Sequence, residues 1–182
     1  QAVAQMKLVI LPILYATADA SIHGLEREAL VALAQATNVS GWVRSHNWLS
    51  DHSVCSWQLV GCDDGGRVKA LSLDFNNLAG QLPPSLGSLA HLEVLDLEGN
   101  FLVGPVPHEI GQLESLIQLG LGGTNHFHGD LPAALCPRIR DIVRARARHG
   151  GLSCDLGGNN SWNCPLPCPE ASQCGAICQP SS

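Results

Sequence analysis

The side chains best suited to chemistry in this sequence are two histidines separated by one residue. His126 and His128 flank Phe127 and follow His108, and alternation along an extended segment would point both imidazoles the same way. Imidazole binds transition-metal ions, but exposed histidines without a role are common, and we predict no metal site. No nucleophile motif, phosphate-binding loop or metal signature occurs at a useful spacing. We therefore predict neither a catalytic site nor a cofactor.

Cysteines form the second chemically distinctive group. The chain has eight, of which two precede the central region and six follow it: Cys55, Cys62, Cys136, Cys154, Cys164, Cys168, Cys174 and Cys178. The C-x3-C spacings near the end could be read as a zinc site. An even number of cysteines in an exported chain is more typical of a disulfide framework, which we predict here, with the connectivity of the last six left open.

The N-terminal residues have the order of a secretory signal peptide. A charged residue, Lys7, precedes an apolar run at 8–16, and small residues follow. The run is shorter than the roughly 20 residues needed to span a bilayer. We therefore predict that residues 1–20 are upstream residues and a signal peptide, and that the mature chain is secreted, extracellular or in the cell wall, with no membrane span. Sequons at Asn38 and Asn159 are candidate glycosylation sites.

Three tandem copies of one pattern organise the chain between residues 68 and 132. They read LSLDFNNLAGQLP from Leu71, LDLEGNFLVGPVP from Leu95 and LGLGGTNHFHGDLP from Leu119, with a 24-residue period and one inserted residue in the third copy. A period of this length predicts a solenoid. The low aromatic content, 4%, agrees, because stacked leucines fill a solenoid interior. The insertion predicts a bulge at the third strand-to-turn junction.

Each LxL segment predicts a short strand with inward leucines, and successive strands should stack into a parallel sheet on the concave side. Asn76, Asn100 and Asn125 follow these strands, and we predict that they form a buried ladder bonded to the main chain. Phe127 occupies a leucine position and is predicted to lie in the core.

The flanking segments are predicted to cap the solenoid. Residues 25–37 have helical periodicity, and three tryptophans follow within sixteen residues. A sugar-binding aromatic platform is one interpretation, but a small core that covers the first coil is the better one. Five arginines lie in residues 137–151, which we interpret as a capping helix rather than a nucleic-acid or membrane-surface helix. The predicted units are an N-terminal cap at 21–67, repeats at 68–135 and a cysteine-rich cap at 136–182.

The frame LxLxxNxLxGxLPxxLGxLxxLxxL resembles the plant-type extracellular leucine-rich repeat. The preceding helix, tryptophans and CSWQLVGC resemble the N-terminal capping domain of that family, so the resemblance covers residues 25–136. The family comprises receptor-kinase ectodomains and soluble binders such as polygalacturonase-inhibiting proteins. It implies a right-handed α/β solenoid that recognises a protein, peptide or glycan, and it does not imply catalysis. Cys55 with Cys62 is the one disulfide that we predict.

The outward positions of the predicted concave sheet are the candidate ligand-binding residues. They are Ser72, Asp74, Asp96, Glu98 and Gln118. Gly120 and Gly122 occupy the same columns in the third copy, so we expect the site to centre on the first two strands. Residues 63–130 contain nine acidic and two basic residues, which favours a basic partner and disfavours nucleic acid and anionic membranes. A merely solvated acidic surface is the alternative.

These features together predict a secreted recognition module. Two alternatives stay open at this point: a structural protein of the cell wall or extracellular matrix, and an inhibitor of a secreted glycosidase.

Overall fold

The computed structural model describes residues 23–149, 154–163 and 165–179. The predicted signal peptide at residues 1–20 and the cysteine at position 164 lie outside the described residues.

A helix and a tryptophan cluster form the N-terminal cap. Helix α1 occupies residues 23–36 and buries Leu30 and Leu33. The three tryptophans of the cap are 1–8% exposed, with ring centroids 4.7 and 5.0 Å apart along the series Trp42, Trp48 and Trp57. They form a core rather than a sugar-binding platform.

The cap is joined covalently and by hydrogen bonding to the first coil. Cys55 and Cys62 form a disulfide, the one pairing named from the sequence. Strand β1, Val60–Cys62, pairs antiparallel with the first repeat strand. Inside the junction, the buried Glu26 carboxylate accepts a hydrogen bond from the Val68 amide at 3.2 Å. The open edge of the solenoid is thereby covered.

The concave sheet contains five strands in the order β1-β2-β4-β6-β8. The four repeat strands are parallel to one another: β2 Val68–Ser72, β4 Val94–Asp96, β6 Gln118–Gly120 and β8 Cys154–Asp155. Equivalent leucines of the first three coils are in register, and all are fully buried: Leu71, Leu73, Leu95, Leu97, Leu119 and Leu121. This confirms the parallel leucine-rich solenoid.

A second sheet lies beyond the turn that follows each concave strand, in the order β10-β9-β7-β5-β3. Its strands are β3 Ala79–Gly80, β5 Phe101–Gly104, β7 His126–Gly129, β9 Ser161–Asn163 and β10 Cys178–Gln179. The extra residue of the third copy falls in the turn before β7, where exposed Thr124 donates from Oγ1 to the Asn100 carbonyl oxygen at 2.9 Å. The pairing of β4 with β6 keeps a regular register, so the turn accommodates the insertion.

Short 3-10 helices close the coils and stack on one another. Those of the coils are Pro84–Ser88, His108–Gln112 and Ala133–Leu135, and the N-terminal cap contains two more, Val39–Gly41 and Val54–Ser56. A Cβ at Gly87 would collide with the Glu109 carbonyl oxygen, and one at Gly111 would collide with Ala134. Glycine at these two positions lets neighbouring coils approach to backbone contact.

The asparagine ladder is present and fully buried. Asn76, Asn100 and Asn125 are 0% exposed. Asn100 donates from Nδ2 to the carbonyl oxygens of Leu73 and Leu97 at 2.8 and 2.9 Å, and its Oδ1 accepts from two backbone amides of the preceding coil at 3.0 Å. The side chains of Asn100 and Asn125 each join two coils and close their own turn, whereas the Asn76 side chain bonds the Arg44 main chain of the N-terminal cap.

The ladder has a fourth member, Asn160, which was not predicted from the sequence. Asn160 accepts from the Phe127 amide at 2.9 Å and donates to the Leu121 carbonyl oxygen at 2.9 Å. Strands β8 and β9 lie on either side of it and extend both sheets. Trp162 occupies the core position of Phe127, on which it stacks with centroids 6.5 Å apart. The segment from β8 to β9 is thus a fourth coil.

Two helices and two disulfides complete the C-terminal end. Helix α2, Cys136–His149, buries Ile139 and Ile142, and helix α3 is Glu170–Gln173. Disulfides join Cys136 to Cys168 and Cys154 to Cys174. Arg138 donates to the Glu114 carbonyl oxygen at 2.7 Å and lies 3.4 Å from the Asp141 carboxylate, while Arg140 and Arg144 are exposed. In the chain, α2 therefore connects the third coil to the fourth, with its isoleucines buried and its arginines Arg140 and Arg144 exposed.

Candidate ligand-binding face

Alternation along the concave strands places the predicted ligand-binding residues on one surface. Ser72 lies beside Asp96 on the neighbouring strand, and Asp96 lies beside Gly120. Asp74 lies two residues after Ser72, and Glu98 lies two residues after Asp96. All five predicted positions, including Gln118, are partly exposed. The structure thus brings the predicted residues together on one face.

A fourth carboxylate joins this face from the fourth coil. Asp155 on β8 pairs with Gly120 on β6. A Cβ at Gly122 would collide with both Asp155 carboxylate oxygens, so that carboxylate lies over Gly122. An ideal Cβ at Gly120 would lie 2.5 Å from Asp96 Oδ1. The two glycines therefore give room to carboxylates that lean in from both neighbouring strands.

The carboxylates extend beyond the first two strands, on which the site was expected to centre because the third copy contributes only glycines there. In the structure the glycines form a floor, with Asp96 and Glu98 on one side and Asp155 on the other. We call Asp74, Asp96, Glu98 and Asp155 the carboxylate cluster. Its centre is the third coil.

Local hydrogen bonds fix two of these carboxylates. Asp96 Oδ1 accepts from the Glu98 amide at 3.2 Å, and Oδ2 accepts from Gln118 Nε2 at 3.3 Å. Asp155 Oδ1 accepts from the Gly157 amide at 2.9 Å. Both aspartates thus bond the amide two residues ahead, a geometry typical of aspartate after a strand. Gln118 positions the cluster as well as lining the face.

Two carboxylates of this cluster, Asp96 and Glu98, have a pKa above the ordinary value. Partial burial raises the pKa of Asp96 above its ordinary value, and the negative charges of Asp74 and Asp155 add to the effect. The pKa of Glu98 is raised too, first by burial and then by the charges of Asp155, Asp96 and Asp74. Like charges that lie close together and lose solvent disfavour the ionised form. The face therefore carries charge that a cation would neutralise.

Few cations balance this face. The two basic residues between positions 63 and 130 are already paired. Lys69 lies 2.6 Å from the Glu93 carboxylate, and Arg67 lies 3.0 Å from the Asp63 carboxylate. Arg44 lies at the edge, with its guanidinium 3.9 Å from an Asp74 carboxylate oxygen. Within the described ranges no lysine or arginine forms an ion pair with Asp96, Glu98 or Asp155. The cluster is therefore available to a cationic group from outside.

Asp155 is the residue of this face that sequence reasoning missed. The signal was present, because CDLGGNNSW from Cys154 matches LGLGGTNHF from Leu119 position by position. A cysteine in place of leucine and a longer interval between the copies concealed it.

The two predicted glycosylation positions are accessible. Asn38 and Asn159 are both exposed. Ser40 donates from Oγ to Asn38 Oδ1 at 2.9 Å, within the same sequon. Use of either site stays a prediction.

Two other kinds of feature, a metal-binding group of three or more residues and a membrane-spanning helix, are absent from the described residues. Over the described ranges, no group of three or more His, Cys, Asp or Glu residues is placed to hold a metal ion. Over the same ranges, no helix has the length and hydropathy needed to cross a membrane.

Comparisons with known proteins agree with the geometry. The family model described as Leucine Rich Repeat matches residues 67–89 and 91–113. Receptor-like protein 3 of Arabidopsis thaliana is 36% identical over 93 residues, which are 50% of this chain and 12% of that protein. The chain thus spans about an eighth of that relative.

Solved structures share the fold. The structure of PEPR1-AtPEP1 matches with a TM-score of 0.58 and 24% identity, over 76% of this chain and 18% of that one. The Arabidopsis receptor kinase HAESA, solved with the peptide hormone IDA and the co-receptor SERK1, matches with a TM-score of 0.51 and 24% identity, over 80% and 22%.

The fold is a leucine-rich repeat solenoid, and the Leucine Rich Repeat model matches two of its coils. The chain is similar to the plant proteins named above.

Proposed function

We propose that this chain is an extracellular recognition module whose concave face binds a basic peptide, or a basic segment of a protein. One observation carries the proposal: carboxylates of the second and fourth coils lean toward each other over a glycine floor in the third. The disulfides suit an extracellular location.

The dimensions of the floor suit a long cationic side chain. Neighbouring strands lie about 4.8 Å apart, so β4 and β8 are separated by roughly 10 Å across β6. The Asp96 and Asp155 carboxylates lie over Gly120 and Gly122 within that distance. The charged end of a lysine or arginine side chain that approaches from the solvent side would meet both. Arginine would gain most, because its planar guanidinium can bond two carboxylates at once.

The electrostatics favour the same class of ligand. A bound cation lowers the energy of ionised Asp96 and Glu98, whose pKa values are raised by burial and by the charges of neighbouring carboxylates, including Asp74 and Asp155. Binding of a cationic ligand thus relieves the repulsion between these carboxylates in the free protein.

Two further observations favour a peptide over a neutral glycan. All four tryptophans of the chain are buried, so none offers a flat surface on which a sugar could stack. The structural neighbour HAESA was solved with a peptide hormone. By analogy of fold, we therefore expect a peptide ligand for this chain as well.

The test is affinity capture from native extracellular fluid with three forms of the full chain. The first is the wild type, and the second carries Asp74→Asn, Asp96→Asn and Glu98→Gln. The third is a matched control that removes exposed carboxylates away from the sheet, with Glu114→Gln and Asp141→Asn. We expect the wild type and the control to recover the same basic partner and the concave variant to lose it.

Equal recovery by all three forms would contradict binding at the concave face. Recovery of a glycoside hydrolase that the wild type inhibits would instead favour the inhibitor alternative. A protein that mild salt cannot release from the wall would favour the structural alternative.

A further inference from the structure

The second sheet carries a histidine pair that ligand binding on the concave face does not use. His126 and His128 lie on strand β7, where both are exposed and the residue between them is buried. Their position on a paired strand gives them a defined spacing and a common direction.

Strand β7, which carries both histidines, is anchored through its buried side. Phe127 is 0% exposed, stacks on Trp162, and donates its amide to Asn160 at 2.9 Å. Strand β7 is also paired on both sides, with β5 and β9. Sites on paired strands hold their ligands more tightly in position than sites on free loops.

The spacing of the pair suits chelation by two imidazoles. Residues two apart on a strand lie about 6.7 Å apart and point to the same face. A transition-metal ion bonds imidazole nitrogen at about 2.1 Å, so the two nitrogens must come within about 4 Å of each other. A rotation of each ring toward the other closes that difference without backbone movement.

The surroundings leave room for the ion and supply no competing cation. Val103 lies beside His126 on β5, and Ser161 lies beside His128 on β9. Asp130, the nearest carboxylate along the chain, accepts a hydrogen bond from Asn163 at 2.8 Å. No third histidine, cysteine, aspartate or glutamate joins the pair in the described part of the chain. Water would therefore complete the coordination.

We propose that His126 and His128 together bind one divalent transition-metal ion, with Cu2+ bound more tightly than Ni2+ or Zn2+. Imidazole suits all three ions, and the general affinity order of divalent metals places Cu2+ first. Ca2+ and Mg2+, which prefer oxygen ligands, are excluded from this site.

The test is calorimetric titration of the full chain, prepared without an affinity tag, with Cu2+ alone in a weakly coordinating buffer near neutral pH. Four variants accompany the wild type: His126→Ala, His128→Ala, the double variant, and His108→Ala as a matched control. His108 is also an exposed histidine, next to Glu109 on a different element. Since all three side chains are exposed, circular dichroism should show that every variant folds.

We expect one Cu2+ per wild-type chain. Each single substitution should weaken binding by roughly tenfold or more, because the second imidazole of a chelate binds without a further loss of translational freedom. The double variant should lose the site, and the control should keep it. Electron paramagnetic resonance should count two coordinating nitrogens in the wild type and one in each single variant.

Two results would overturn the proposal. One is a wild type that shows no more Cu2+ binding than the double variant. The other is a control that weakens binding as much as the substitutions on β7. Neither result would bear on peptide binding by the concave face, which lies on the other sheet.

Discussion

Removal of one rung of the asparagine ladder should destabilise the whole solenoid. Asn100 is fully buried and joins the first coil to the second. In Asn100→Ala, the amides of Asn76 and Leu78 lose their acceptor, and the carbonyl oxygens of Leu73 and Leu97 lose a donor. The Leu97 carbonyl oxygen still accepts from Asn125 Nδ2 at 2.8 Å, so the substitution leaves three buried backbone groups without a partner.

The cost follows from that number. A buried polar group without a partner costs about 1–3 kcal/mol, so three groups predict a loss of at least about 3 kcal/mol. Domains of ordinary stability unfold with about 5–15 kcal/mol. For a chain of this size, a loss of about 3 kcal/mol corresponds to a fall in melting temperature of roughly 6–12 °C.

Chemical denaturation of the disulfide-intact protein measures this loss, and thermal melting provides a second reading. The matched control is Asn163→Ala, which removes an exposed asparagine with a single side-chain bond, to Asp130. It should change the free energy of unfolding by no more than about 0.5 kcal/mol. A loss in Asn100→Ala as small as that of the control would refute the view that the ladder holds the coils together.

Three further predictions concern the carboxylate face and the fourth coil. Gly122→Ala should displace the Asp155 carboxylate, so partner capture should weaken while the melting temperature changes little, because the displaced atoms end a flexible side chain. The free energy of unfolding should fall as pH rises from about 4 to 7, because folding raises the pKa of Asp96 and Glu98 and such groups stabilise the fold only while protonated. When Asp96 and Glu98 are both replaced by their amides, the free energy of unfolding should depend less steeply on pH across this range. An unchanged slope would count against the pKa shifts. Trp162→Ala should cost about 3–5 kcal/mol in chemical denaturation, since its ring is buried between coils, and a loss below 1 kcal/mol would argue against a fourth coil.

Much of the fold could be read from the sequence because its determinants are local and periodic. Leucines two residues apart define a strand with one buried face, and the 24-residue period places each strand beside the next. The asparagines could be predicted as a ladder because each follows its strand within the same turn, five residues after the first leucine in two copies and six in the third. The core role of Phe127 followed from its alignment with leucines, and its burial confirms it.

The fourth coil was missed because helix α2 interrupts the period. Leu95 and Leu119 are 24 residues apart, whereas the next equivalent position, Cys154, follows after 35. The helix, Cys136–His149, follows the 3-10 segment Ala133–Leu135 and lengthens the connection. Cysteine in a leucine position also conceals the pattern, because the same residue serves a disulfide to Cys174.

The candidate face was predicted only in part, because side chains on neighbouring strands share space that no single strand reveals. Gly120 and Gly122 removed side chains from the third coil, and the sequence alone suggested an empty surface there. The structure shows that the space is taken by carboxylates from both sides. Glycine therefore shapes this face by admitting its neighbours.

Selection of peptides from a random displayed library on the immobilised full chain tests the central claim most directly. The wild type should enrich peptides rich in arginine and lysine. Enrichment should disappear in the variant with Asp96→Asn, Glu98→Gln and Asp155→Asn, and persist in the Glu114→Gln and Asp141→Asn control. Enrichment of neutral or acidic peptides, or basic peptides retained equally by the concave variant, would contradict a basic ligand on the carboxylate cluster.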